Sequence, residues 1–305
     1  MKSAVIVGGT GFIGSWLLKE LLTQGYFVTV FTRHSEKLYC HGYMDRLEVI
    51  WWDGIQKIKE IKLKRNKYDY FFYLAWDGVM PELKNDVDLQ LKNIKYAIDA
   101  MQFAKENSCG KFIATGTVAE YVFCEHTLNV KEKHSPNDFY GAAKVSTYYM
   151  LDVLSRQIGI GLIWVIVPST FGPGRKGNNI INYTICCLLN KQKPVYGKLE
   201  QLWDFLYVSE VVRAIRLLAE KGSCGKVYGV GSGQYKCLKE YVKIIRDIID
   251  PGLELGIGEK TGIQSGTLSS CVDIYDLVKD TGFKMEISFE EGVRRTIKYI
   301  KDSSR

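Results

Sequence analysis

The first half of the chain alternates short apolar runs with longer amphipathic segments. The apolar runs lack regular polar alternation and cover residues 3–9, 26–33, 47–53, 68–76, 111–116 and 160–168. Apolar residues recur at helical spacing in segments 12–25, 89–110 and 137–159. Unalternating strands separated by helices are typical of a parallel sheet covered on both faces. The pattern therefore predicts an α/β fold with a doubly wound parallel sheet of the Rossmann type.

After Pro168 this rhythm changes. A Gly/Pro-rich loop at 169–179 precedes predicted helices at 180–191, about 237–249 and 288–301, a strand and helix at 204–222, and a strand at 225–233. We see no repeat and no low-complexity linker, so the C-terminal part is expected to pack on the first as a smaller α/β lobe. The predicted division is a nucleotide-binding domain at 1–168, to which 204–233 returns, and a substrate-binding lobe at 169–203 and 234–305.

Composition indicates a soluble globular protein, since 46% of the 305 residues are hydrophobic and 25% are charged. The net charge of +7 suits an anionic small-molecule ligand or is an ordinary surface excess. The sequence has no dense Lys/Arg block, so nucleic-acid binding is not expected. No apolar run approaches the ~20 residues that span a membrane. Eight cysteines without a C-x-x-C pair favour free thiols in a reducing cytoplasm. Cys124 and His126 have no matching second ligand pair, so no metal site is expected.

Three glycines follow the first strand at G-x-x-G-x-x-G spacing: Gly8, Gly11 and Gly14. Glycine permits a tight turn in which backbone N–H groups approach a pyrophosphate at a helix N-terminus. The alternative is a tight strand–helix turn that binds nothing. Its position in the first βα unit of an α/β pattern favours dinucleotide binding.

The end of the second strand indicates which dinucleotide binds. An acidic residue there would bind the ribose of NAD, but the residues are Thr32 and Arg33, and no carboxylate occurs before Glu36. A cation and a hydroxyl favour the 2′-phosphate, so NADP(H) is preferred over NAD, unless Arg33 is only a solvated loop residue. Asp53, after the third strand, is expected to meet the adenine or to be a plain turn residue.

Three tyrosines are followed four residues later by a lysine: Tyr140 by Lys144, Tyr235 by Lys239 and Tyr275 by Lys279. Only the first pair is predicted to lie at the start of the helix between the fifth and sixth strands, facing the ligand crevice of a doubly wound sheet. A tyrosine with a nearby ammonium, whose charge lowers the phenol pKa, is suited to proton transfer in carbonyl reduction. From spacing alone, an ordinary amphipathic helix face explains the pair equally well.

Taken in order, these motifs resemble the extended short-chain dehydrogenase/reductase family, which includes nucleotide-sugar epimerases, dehydratases and reductases. The resemblance covers nearly the whole chain. It rests on GGTGFIG (8–14), YDYFFYLAW (68–76), Asn93, KFIATGTVAEY (111–121), FYGAAK (139–144), PSTFGPG (168–174) and WDFLYVSEVVRAI (203–215).

The resemblance implies a role for each matched position. Tyr140 would be the general acid/base, Thr117 would orient the substrate oxygen, and Lys144 would bind the nicotinamide ribose and lower the tyrosine pKa. The other implied cofactor contacts are Thr10, Phe12, Ile13, Leu74, Ala75 and Val167, and the implied substrate contacts are Ser169, Arg175 and Trp203. Family members are often dimers through a helix bundle, so a homodimer is expected, although the apolar faces of 145–154 suit intramolecular packing equally.

Departures from the family pattern narrow the expected activity. The Asp-Glu pair that resembling dehydratases have after the strand-five hydroxyl is replaced by Val118 and Ala119, with Glu120 displaced by one residue, which disfavours dehydration. Ser169 and Trp203 replace the asparagine and arginine that often hold the nucleotide sugar. We therefore expect NADPH-dependent reduction of a 4-keto nucleotide sugar. A nucleotide-sugar epimerase with retained cofactor is the alternative, and a non-catalytic NADP-sensing protein is a remote one.

Overall fold

A twisted parallel sheet forms the centre of the molecule. The computed structural model describes residues 1–33, 41–52, 58, 61–121, 127–177, 179–260 and 270–303. Its strands are β1 (Ser3–Val7), β2 (Phe27–Thr32), β3 (Leu47–Trp51), β4 (Tyr68–Tyr73), β5 (Cys109–Thr117), β6 (Gly161–Val167), β7 (Ser169–Phe171), β8 (Val195–Tyr196), β9 (Leu202–Trp203), β10 (Phe205–Tyr207), β11 (Lys226–Gly229), β12 (Lys236–Cys237) and β13 (Gly256–Ile257). Its α-helices are α1 (Phe12–Thr23), α2 (Val87–Glu106), α3 (Phe139–Ile158), α4 (Ile180–Leu189), α5 (Val208–Lys221), α6 (Leu238–Ile249), α7 (Tyr275–Thr281) and α8 (Phe289–Ser303).

Seven strands make up the main sheet in the order β11-β6-β5-β4-β1-β2-β3, and all neighbouring pairs are parallel. The direction of strand succession reverses between β1 and β4. In open α/β sheets ligands bind at this switch point, beyond the carboxyl ends of the strands. The predicted fold class is confirmed, and the topology places the glycine loop and the end of β4 on either side of the crevice.

Helices bury apolar stripes on both faces of the sheet. On one face α1 packs beside α5, and Leu17, Leu18, Leu21 and Leu22 of α1 are buried at helical spacing. On the other face α2 packs beside α3. Because both faces are covered, all five side chains of β1 are buried, which explains its run of small and β-branched residues without polar alternation.

A separate core cluster outside the main sheet contains several aromatic side chains. Phe171, Phe205, Tyr241 and Phe289 contact one another there, between the ends of β7 and β10 and helices α6 and α8. The segment 204–233 contributes β11 to the main sheet and α5 to its face. None of the helices within the described ranges is long and apolar enough to cross a membrane.

Element ends differ from the predicted ones by a few residues. The apolar run 68–76 continues beyond β4, which ends at Tyr73, because residues 74–76 leave the sheet to line the crevice. Helix α7 and the two-residue strands had no predicted counterpart, since seven residues or fewer are too short to show a clear period.

Candidate active site

The glycine loop is tightly folded at the carboxyl end of β1. Gly8 has φ +94°, and a Cβ on it would lie 2.8 Å from the Ala75 nitrogen. A Cβ on Gly14 would lie 2.0 Å from the Gly8 carbonyl oxygen, and the Gly11 N–H donates to that oxygen over 3.1 Å. Gly11 is the N-cap of α1 and offers its first N–H groups no side-chain cap. These groups are therefore suited to receive a phosphate.

Gly9 is a constrained position that the sequence analysis missed. A Cβ there would lie 2.2 Å from Cγ2 of Val30, so the absence of a side chain lets the loop pack directly on β2. The signal in the sequence was the pair Gly8–Gly9 after the strand. Gly9 stands at a variable position of the G-x-x-G-x-x-G motif, so the motif does not require glycine there.

The residues expected to select the dinucleotide have different surroundings. Thr32 is buried, and its hydroxyl donates to Oγ1 of Thr10 over 3.1 Å, which ties the end of β2 to the glycine loop. Arg33 is exposed and donates to Oδ1 of Asp77 over 3.2 Å. Asp53 lies outside the described residues, as do 34–40.

The remaining expected cofactor contacts surround the same crevice. Leu74 follows β4, and its N–H donates to the Val7 carbonyl over 2.9 Å, so residues 74–75 lie beside the glycine loop. Half-buried side chains near the loop and at the ends of β4 and β6 are those of Thr10, Phe12, Ile13, Leu74, Ala75 and Val167.

Tyr140 and Lys144 lie one turn apart at the start of α3. Asp138 caps this helix by accepting from the Gly141 N–H over 2.7 Å. A Cβ on Gly141 would lie 2.2 Å from the Ala119 carbonyl oxygen, so the first turn of α3 packs against the turn that follows β5. This close approach brings Tyr140 to the end of β5.

The Lys144 ammonium is enclosed by protein. Its side chain is 5% exposed, and Nζ donates to the Thr115 carbonyl over 2.7 Å. The ring centroid of Trp76 lies 3.8 Å from Nζ, a cation–π contact. Burial lowers the pKa of Lys144 below the usual range of a lysine.

Tyr140 lies between the same indole and the end of β5. The Trp76 ring meets the Tyr140 ring edge-on at 6.1 Å, and the Thr117 hydroxyl lies close enough to the phenol to lower its pKa. Burial raises the pKa of Tyr140 to about 12, the charges of Glu120 and Asp138 add to this effect, and Thr117 and the Arg175 charge oppose it. The expected lowering by the Lys144 ammonium is not among these effects, and the charge that lowers the pKa of Tyr140 is that of Arg175.

Thr117 is oriented by the 3₁₀ turn at 118–120. Its hydroxyl oxygen accepts from the Ala119 N–H over 3.2 Å, and its own N–H donates to Oε1 of Glu120 over 2.8 Å. With its oxygen already accepting one hydrogen bond, the hydroxyl has its proton available to donate toward Tyr140.

Two residues of this centre were not identified from sequence as parts of the site. Trp76 contacts both Tyr140 and Lys144, and its indole N–H donates to Oε1 of Gln90 over 2.9 Å. Glu120, which the sequence analysis treated only as a displaced acid, is fully buried behind the pair. The available signals were a tryptophan directly after the L-A of the fourth strand and a carboxylate directly after an apolar strand.

The expected substrate residues form two groups. The Trp203 indole donates to Oγ of Ser169 over 2.8 Å, so these two replacements contact each other. Arg175 lies in the Gly/Pro-rich loop with its guanidinium 5.5 Å from the Phe12 ring centroid, and the Pro173 carbonyl accepts from the Trp16 indole over 3.1 Å. The loop is therefore held against α1.

The other two tyrosine–lysine spacings have ordinary surroundings. The Tyr235 hydroxyl donates to the Val272 carbonyl over 2.9 Å. Tyr275 is 64% exposed at the start of α7, with Lys279 beside its ring. Cys124 and His126, the pair considered for zinc, lie outside the described residues.

Comparison with known proteins places this geometry in context. A profile of the NAD dependent epimerase/dehydratase family matches residues 4–231. The dTDP-4-dehydro-6-deoxyglucose reductase of Escherichia coli is 22% identical over 98% of each chain. The dTDP-glucose 4,6-dehydratase of Shigella flexneri is 26% identical over 54% of this chain, which spans about half (48%) of that relative's length.

Solved structures give the same picture at the level of the fold. A UDP-N-acetylglucosamine 4-epimerase from Methanobrevibacter ruminantium M1, in complex with UDP-N-acetylmuramic acid, has a TM-score of 0.87 and 26% identity, with 99% of both chains covered. A UDP-glucuronic acid 4-epimerase from Bacillus cereus, in complex with UDP-glucuronic acid and NAD, has a TM-score of 0.86 at 18% identity, again with 99% of both chains covered.

Proposed function

Because the chain belongs to the NAD dependent epimerase/dehydratase family, we propose that it reduces a 4-keto nucleotide sugar with NADPH. The observation that carries this proposal is the placement of Tyr140 and Lys144 on the first turn of α3, which packs against the turn after Thr117 at the switch-point crevice. A phenol held in its neutral form is suited to donate a proton, which a ketone requires on reduction.

The residues around the crevice fit a dinucleotide. Gly8, Gly11 and Gly14 leave room for its pyrophosphate at the N-terminus of α1, and Lys144 would bind the nicotinamide ribose. When bound, the nicotinamide supplies the hydride. Tyr140 would then donate its proton to the oxygen of the former ketone, and the single Thr117 hydroxyl proton would turn from Tyr140 to the same oxygen as a second hydrogen bond.

The preference for NADPH is part of the proposal. Arg33 is exposed at the end of β2, where a 2′-phosphate would lie, and it presents a planar donor suited to phosphate. Its present partner, Asp77, is itself 44% exposed, so the ion pair is weak enough to exchange for a ligand phosphate.

The second lobe is proposed to bind the nucleotide sugar. The Ser169–Trp203 pair offers the substrate an indole surface in place of the cation that often holds the nucleotide sugar. The charge of Arg175 lowers the pKa of Tyr140, and Arg175 is proposed to contact the anionic part of the substrate. Residues 169–203 and 234–305 would form this lobe, and 1–168 with 204–233 would form the cofactor domain.

An epimerase remains the second candidate, and the observation that favours it is the similarity to the Methanobrevibacter 4-epimerase at 26% identity over nearly the whole chain. Epimerisation begins with removal of a proton by the same tyrosine, so the net consumption of cofactor distinguishes the two reactions. A non-catalytic NADP-sensing protein would not need the Thr117–Tyr140–Lys144 set.

The proposal is tested by following NADPH absorbance during incubation with a panel of 4-keto nucleotide sugars. Stoichiometric NADPH loss with at least one of them is the expected result. Interconversion of sugar epimers without net cofactor consumption, together with tighter binding of NAD than of NADP, would move the assignment to an epimerase.

A further inference from the structure

Glu120 is a buried carboxylate near Tyr140 and Lys144 whose oxygens accept hydrogen bonds from protein N–H groups. It is fully buried, and it accepts from the Trp164 indole, whose Nε1 lies 3.3 Å from Oε1 and 3.2 Å from Oε2. A Cβ on Gly116 would lie 2.4 Å from Oε1, so the glycine leaves the room that the carboxylate fills. A residue of the outer surface would need none of these arrangements.

The same carboxylate fixes the Thr117 hydroxyl. Oε1 accepts from the Thr117 N–H over 2.8 Å, which completes a reciprocal capping box with the turn at 118–120. In this conformation the Thr117 oxygen accepts from the Ala119 N–H. Without an acceptor at position 120, the Thr117 N–H would be buried and unpaired, and the direction of the hydroxyl would no longer be set.

Glu120 and Lys144 both lie near the Trp164 indole. Nζ of Lys144 is 6.0 Å from the Trp164 ring centroid, and the indole N–H donates to the Glu120 carboxylate. The direct contacts of Nζ are with the neutral Thr115 carbonyl and the Trp76 ring. Burial favours the uncharged amine, and the charge that opposes this effect is that of Glu120. Reciprocally, burial raises the pKa of Glu120 and Lys144 lowers it.

Other polar groups face the carboxylate from each element packed against it. His134, in the loop before α3, has Nε2 3.8 Å from Oε2 of Glu120, and burial lowers its pKa, so it is neutral at pH 7. The remaining groups are uncharged at that pH as well: Tyr121 from the same turn, Tyr140 and Tyr148 from α3, and Trp164 from β6. Lys144 is therefore the cation that Glu120 balances within the described structure.

We propose that Glu120 is a positioning residue of the catalytic centre, which aims the Thr117 hydroxyl at Tyr140 and keeps Lys144 protonated. Its effect on turnover rests on the proposed reductase function, whereas its effect on the ionisation of Lys144 does not. Since reduction needs the ammonium form, activity should fall as the pH rises through the Lys144 pKa.

The direct test is the pKa of Lys144, measured by NMR of the lysine side chain in the wild type, E120Q and E120D, with the resonance assigned from K144M. In E120Q the amide oxygen still accepts from Thr117 but the charge is gone, so the Lys144 pKa should fall by about one unit or more. E120D keeps the charge and should leave that pKa close to the wild-type value. E106Q, which removes the same charge from an exposed position at the end of α2, is the matched control and should change nothing.

The pH dependence of kcat distinguishes a positioning role of Glu120 from a merely structural one. The basic limb of the kcat–pH profile should move to lower pH in E120Q, whereas E120D should lower kcat at all pH values without moving the limb. In E120Q, an unchanged Lys144 pKa or an equal loss of kcat at every pH would overturn the proposal. If no 4-keto nucleotide sugar is reduced, the proposed function fails while the NMR titration still decides the role of Glu120.

A second measurement leaves position 120 unchanged, so it holds even if E120Q does not fold. Because the interaction between the two groups is mutual, removing the ammonium in K144M should raise the pKa of Glu120, followed by NMR of its side-chain carboxyl. A Glu120 pKa that is the same in K144M and in the wild type would contradict the coupling on which the proposal depends.

Discussion

At the scale of single residues, Tyr140 and Lys144 share the Trp76 indole as a neighbour but need different ionisation states, a neutral phenol and a charged ammonium. Burial favours the neutral form of both, which suits a proton donor and works against an ammonium. The centre therefore needs an anion near Lys144 and none directly bonded to Tyr140. In the proposed arrangement, the Glu120 charge opposes the effect of burial on Lys144, and the neutral Thr117 hydroxyl faces Tyr140.

Arg33 gives the clearest prediction for cofactor choice. R33A should weaken NADPH binding by about tenfold, since one charge-assisted contact to phosphate is lost, and should leave NADH binding unchanged. D77N is the matched control, because it removes the partner of Arg33 in the 3.2 Å ion pair and should not weaken NADPH binding. Fluorescence titration with both nucleotides measures these affinities, and an equal loss for NADH and NADPH in R33A would contradict the assignment.

At the scale of elements, the glycine loop is fixed by backbone against backbone. A Cβ at Gly14 would approach the Gly8 carbonyl oxygen at 2.0 Å, and neither atom belongs to a flexible side chain. We therefore expect G14A to be destabilised by about 1–3 kcal/mol, as for other overpacked sites, and to lose measurable NADPH binding.

Gly42 provides the comparison for that variant. A Cβ there would meet nothing within 4 Å, so G42A should match the wild type in thermal unfolding and in NADPH titration. If G14A bound NADPH as tightly as G42A does, the loop would not be the pyrophosphate site.

The sequence predicted most of the elements and the pair Tyr140–Lys144, because periodicity and glycine spacing are local properties. It did not predict that Thr32 turns inward to Thr10, or that Trp76 covers Lys144. Such contacts join residues far apart in the chain and depend on how the loops after β2 and β4 leave the sheet. Helix α7 was not predicted because its seven residues are too few to show a helical period in the sequence.

At the scale of the whole molecule, α2 and α3 leave an apolar face toward solvent. Leu91 of α2 is 57% exposed, and Met150 and Val153 of α3 are 52% and 47% exposed. Large exposed apolar patches mark interaction sites, and we propose that the homodimer expected from the family resemblance buries this one.

The dimer is tested by sedimentation at micromolar concentrations. The wild type should sediment as a dimer and M150E as a monomer, because the new charge would lie unpaired in the interface. Y299E changes a side chain that is 46% exposed on α8, away from this face, and should stay dimeric. A wild-type monomer, or a dimeric M150E, would contradict the proposed interface.

The central claim is that Tyr140 protonates the reduced ketone, and Y140F tests it most directly. The variant removes one hydroxyl and keeps the ring that packs against Trp76. With a 4-keto nucleotide sugar that the wild type reduces, NADPH oxidation by Y140F should fall by about a hundredfold to ten-thousandfold. NADPH affinity, measured by fluorescence in the same preparations, should remain near the wild-type value. Undiminished NADPH oxidation by Y140F would contradict the account.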